Sequence, residues 1–138
     1  MEKPEAPATG DLAESTLRPS TEALADPVLI AMSRQAHRAI LNRLTAEVLD
    51  AVAEGESAVP EASRLAAWLH ADFLPWAQDR ELQAADQSIR AAMRSDRGML
   101  MGLQSLLTGS RGYDAANWTR QIHRTATILL ARLEYLEG

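Results

Sequence analysis

Between Asp26 and Val52 the positions Ile30, Ser33, His37, Ile40, Leu41, Leu44, Val48 and Val52 recur every three or four residues. That period belongs to an amphipathic helix, since the apolar positions of a strand alternate. Asp26 followed by Pro27 supplies a start, an N-cap residue and a proline at the first helical position. The pattern continues to about Ala53. His37 lies within the stripe and is expected on the buried side.

Three further segments repeat the pattern. After Glu54–Ser57, Pro60 restarts a helix through PEASRLAAWLHADFL, with Leu65, Leu69 and Phe73 as its stripe and His70 on the flank. Pro75 is expected to end or kink that helix, because proline lacks an amide donor and clashes one turn back. The polar stretch WAQDRELQAADQ then reads as a helical turn or a loop. A third helix is predicted over Gln87–Leu107, where Asp96 interrupts the face of Ile89, Met93, Leu100, Leu103 and Leu107. The cluster TGSRGY reads as a loop. Asp114 caps a last helix whose buried face is Ile122, His123, Ala126, Leu129, Leu130, Leu133 and Leu136. Four helices with short connections predict an all-α, antiparallel up-down-up-down four-helix bundle over residues 21–138. Residues 1–20, with Pro4, Pro7, Gly10 and Pro19, are expected to form a flexible N-terminal tail.

Composition narrows the chemistry. The 138 residues fit one domain, 46% apolar with only three Trp, two Tyr and one Phe, so Ala, Leu, Ile, Val and Met should build most of the core. Without cysteine, the chemistry left is that of imidazole, carboxylate and hydroxyl. A net charge of -5 with no basic run argues against a nucleic-acid partner. No stretch reaches the roughly 18 apolar residues of a spanning helix, so the expectation is a cytoplasmic protein with no membrane partner. Neither a GxSxG elbow nor a phosphate-binding loop is present: Gly109 and Gly112 lack the lysine and the strand of a P-loop. No catalytic residues are assigned, and the chain is not expected to be an enzyme.

His37, His70, Asp96 and His123 fall one to each helix, the distribution a metal in the middle of a bundle requires. Imidazole and carboxylate suit Fe, Zn or Mn. The plainer alternative is that each histidine is a partly buried residue bonded to a carbonyl or carboxylate. Asp96 has three readings: metal ligand, a residue turned to the bundle surface or paired with Arg94 or Arg97, or half of a metal-free buried pair with a histidine. Gly98 and Gly102 in RGMLMGL, with Met93, Met99 and Met101, read as a helix-packing face or as filler. Trp68, Trp76 and Trp118 read as core anchors.

DPVLIAMSRQAHRAI resembles the first helix of the hemerythrin-like, or HHE cation-binding, family. LAAWLHADF is similar to its second-helix histidine segment, MRSDRGML to its third, and WTRQIHRTATILL to its fourth. The resemblance, from Asp26 to the end, implies a hemerythrin-like bundle with His37, His70 and His123 as inherited candidate metal ligands and Asp96 at the position of the third-helix histidine. Where the family commonly places carboxylates after the second and fourth histidines, this chain has Leu74 and Thr127; Leu100 stands where some members have a further histidine. The resemblance thus implies a small binding or sensing module with a degenerate site, holding non-haem iron or another divalent metal, or none. The alternative is a metal-free bundle that engages a protein partner or forms a homodimer.

Overall fold

The computed structural model describes residues 27–109 and 114–137; the predicted tail over residues 1–20, the Asp26 cap and the tip of the TGSRGY loop lie outside them. All the regular structure described is helical: α1 (Pro27–Ala53), α2 (Val59–Trp68), a π-helical turn (Leu69–Phe73), α3 (Leu74–Gln83), α4 (Gln87–Gly109) and α5 (Ala115–Glu137). Because α2, the π turn and α3 follow one another without a break, there are four helical segments.

Helix α1 ends where Gly55 takes a left-handed backbone, φ 74°. The Glu56 amide bonds to Ala51 O and the Gly55 amide to Val52 O, each at 3.0 Å. This paired closure satisfies carbonyls the last turn would leave bare, and it favours glycine because a Cβ is strained at positive φ. Pro60 sits in the first turn of α2, as its lack of an amide donor allows.

Pro75 does not end the second segment. The Leu74 amide reaches back five residues to Leu69 O, and Pro75 falls in the first turn of α3, where a missing donor matters least. The wider turn takes up the proline, and the helix continues to Gln83. WAQDRELQ is therefore helix, with Trp76, Ala77, Arg80 and Glu81 buried. The next start signal is Asp86, whose Oδ1 accepts from the Ser88 amide at 2.8 Å and the Ile89 amide at 3.2 Å and so caps α4. Helix α4 runs two residues beyond the predicted Leu107.

The most extensive helix contacts join α5 to α1 and to α4; α1 also packs on α2, and α2 and α3 pack on α4. One core results. Leu41, Leu44 and Val48 of α1 meet Leu65 and Leu69, Met93, Leu100 and Leu107 of α4, and Ile122, Leu129, Leu130 and Leu133 of α5. Truncating one such fully buried leucine to alanine costs about 2–5 kcal/mol. The aliphatic core predicted from composition is present, but Trp68, Phe73 and Trp76 are also inside, gathered near the π turn. Val52 and Leu136, expected on buried faces, are more than a third exposed.

Candidate functional site

His37 is placed by α1 with no accessible surface. Its Nδ1 lies 2.8 Å from Ser33 O one turn earlier. A carbonyl can only accept, so Nδ1 carries the proton and donates. In the neutral ring Nε2 then presents a lone pair, and it is buried without a hydrogen-bond partner. The ring stacks on Trp76 with centroids 4.1 Å apart, meets Phe73 edge-on at 5.7 Å, and has Trp68 at 6.1 Å.

The π turn assembles this aromatic box. Five residues of α-helix carry a side chain well around the axis, whereas one turn closed by an i to i+5 bond brings Phe73 back over Trp68, and Trp76 follows three residues later. Trp68 and Phe73 accordingly lie 5.2 Å apart, and Phe73 and Trp76 5.8 Å apart. Burial lowers the His37 pKa to about 4; the bond to Ser33 O and the charge of Asp72 oppose that shift without cancelling it. At neutral pH His37 is an uncharged ring in an apolar cage.

The other three predicted ligands lie elsewhere and are occupied differently. His70 points outward and is exposed. Asp96 is half-buried and accepts from Arg132 Nε of α5 at 2.7 Å, not from Arg94 or Arg97. His123 donates from Nε2 to Asn42 Oδ1 at 2.8 Å, linking α5 to α1. Among the described residues no group of three or more His, Asp or Glu side chains is placed to hold a metal. Among the described residues the predicted four-residue set is therefore not brought together. The reason is geometric: one residue per helix is not one level or one facing, and π-turn register turns His70 out while an arginine takes Asp96.

The arginines expected beside Asp96 serve Glu81 instead. This carboxylate is buried on α3 and accepts from Arg97 Nε at 2.9 Å and Arg94 Nε at 3.1 Å. Burial raises its pKa, but the two arginines outweigh that and hold it below the usual carboxylate range. The sequence signal for Glu81 is the helical spacing of Trp76, Ala77, Arg80, Glu81 and Ala84, which is visible only if the helix is carried through Pro75.

Openings lie beside these clusters among the described residues. One, of about 360 Å3, lies between the α3–α4 connection and the end of α5, against Arg80, Ala84, Asp86, Leu133 and Leu136. Another, of about 250 Å3, lies between α1 and α5. Among the described residues no helix is long and apolar enough to cross a membrane. Comparison with protein-family models, with curated proteins and with solved structures finds no match for this chain.

Proposed function

We propose that this chain is an antiparallel up-down-up-down bundle, hemerythrin-like in the order of its helices, that works without a metal as an interaction module. Support for the topology comes from cross-helix pairs that run in opposite senses. Glu47 meets Arg64 at 3.6 Å while His37 meets Phe73 and Trp76, and Asn42 meets His123 while Arg38 meets Glu134 at 3.8 Å. Asp96 with Arg132 folds α4 and α5 about their short connection. Support for a metal-free role comes from the dispersal of the candidate ligands: Asp96 bonds to Arg132, His123 to Asn42, His37 is buried in the aromatic box and His70 is exposed.

The observation that carries the interaction reading is the outer face of α4. Ala91, Ser95, Gly98, Gly102, Ser105 and Gly109 are exposed along one strip, flanked by Met99, Met101 and Leu106, which are 57%, 50% and 49% exposed. A glycine inside a helix costs about 1 kcal/mol relative to alanine. Among the described residues nothing requires either interior glycine, because a Cβ at Gly98 or Gly102 would meet none of their atoms within 4 Å. What bare backbone there permits is the close approach of another helix, with the methionines adapting around it.

A second copy of α4, crossing at the glycines, fits a self-complementary strip of this kind and closes as a two-fold dimer. Sedimentation equilibrium over a concentration series tests this. A concentration-dependent dimer that Gly102→Arg abolishes is the expected result; a monomer at every concentration would remove the reading.

A further inference from the structure

The groove between α1 and α5 stands apart from the α4 face and does not depend on it. Asn42, Thr45, Ala46 and Leu49 line one wall, Arg120 and His123 the other. The first four are spaced i, i+3, i+4, i+7 and share a face of α1; the last two are spaced i, i+3 on α5. We propose that this groove is a binding site for a small organic anion, a carboxylate with a short aliphatic body.

The charge of the lining argues for an anion. Among the described residues no carboxylate lines the groove. Arg120 is exposed and has no ion pair among the described residues. Glu47, next to Ala46 on α1, is already engaged by Arg43 at 3.2 Å and Arg64 at 3.6 Å. His123 Nε2 donates to Asn42 Oδ1, which fixes the amide and leaves its nitrogen with two protons to give. The Arg120 guanidinium on one wall and the Asn42 amide N–H2 on the other offer donors to the groove, the groups that bind a carboxylate.

The remaining lining argues for an apolar body. The Thr45 hydroxyl is spent on Leu41 O at 2.8 Å and Asn42 O at 3.0 Å, so it offers the groove no free donor. Ala46 and half-buried Leu49 give apolar surface beside it. A volume of about 250 Å3 is smaller than the roughly 300–1,000 Å3 of pockets for drug-sized ligands, which limits the body to a few carbons.

Hexanoate titrated into the full chain, followed by heteronuclear NMR, tests the site. Saturable shifts at Ala46, Leu49, Arg120 and His123 are expected, with a Kd of about 1 mM for so small a ligand. Hexan-1-ol, which lacks the charge, and inorganic phosphate, which lacks the body, should each bind at least tenfold more weakly. Arg120→Gln should weaken hexanoate about tenfold, whereas Arg124→Gln, an exposed arginine four residues on, should leave it unchanged. Absence of saturable shifts at about 20 mM hexanoate, equal binding of the alcohol or of phosphate, or an Arg120→Gln variant that binds as the wild type does would overturn the proposal.

Discussion

The imidazole of His37 lies against the indole of Trp76, ring centroids 4.1 Å apart and planes 21° from parallel. One ring comes from α1 and the other from α3, just beyond the π turn, so the stack ties the start of the chain's described fold to the segment that passes Pro75.

That burial gives the protein an acid-sensitive stability. Unfolded, His37 titrates near 6.5; folded, it titrates at about 4. Between those values the unfolded chain takes up a proton that the folded chain refuses, so acid favours unfolding. The stabilisation is complete above about pH 6.5 and declines as pH falls, by about 3 kcal/mol near pH 4. Urea titrations of wild type and His37→Phe across this range should show the steeper loss in the wild type. Parallel slopes would mean that His37 is not buried as a neutral ring.

Glu81 should be the most sensitive carboxylate in the fold. It is 3% exposed and bridges α3 to Arg94 and Arg97 of α4. Glu81→Ala leaves a partly buried Arg97 without its counter-charge and is expected to cost about 3 kcal/mol in chemical denaturation. Arg94, whose side chain is 64% exposed, should contribute less than about 1 kcal/mol when replaced by alanine. An equal loss from both arginines would contradict this division.

At Gly98 and Gly102 the expectation runs the other way. Alanine at each meets open space and should stabilise the isolated chain by about 0.5–1 kcal/mol, seen as a higher urea midpoint at dilute concentration. In the same variants, self-association measured by sedimentation should weaken. If both quantities are unchanged, the glycines have no role in either state.

Dialysis against a chelator should leave the melting temperature where it was. A metal present at a hundred times its Kd would stabilise the fold by about 2.7 kcal/mol, which calorimetry before and after chelation would detect. The expectation of no change follows from the arrangement of donors, since no three of His37, His70, Asp96 and His123 come together. A drop in melting temperature reversed by added metal would refute it.

Much of the helical content could be read along the chain. The stripe of Ile30, Ser33, His37, Leu41, Leu44 and Val48 is buried throughout, as a 3.6-residue period requires. Leu65, Leu69, Met93, Leu100, Leu103 and Leu107 follow the same rule. Pro75 misled because the penalty of proline was weighed against an ordinary α-helix, and a π turn is a local conformation that periodicity does not encode. Asp96 misled in its partner: Arg94 and Arg97 are its sequence neighbours, yet both reach Glu81, and Arg132 arrives from α5.

The sequence by itself determined where most helices begin, which stripes face inward, and that His37 is buried, since each follows from local spacing and the aversion of apolar surface to water. Tertiary structure alone decided what the polar residues on those stripes touch. Whether His37, His70, Asp96 and His123 converge depends on the height and rotation of each helix against its neighbours. One π turn, the stacking of Trp76 and the reach of Arg132 set that arrangement, and it disperses the four residues.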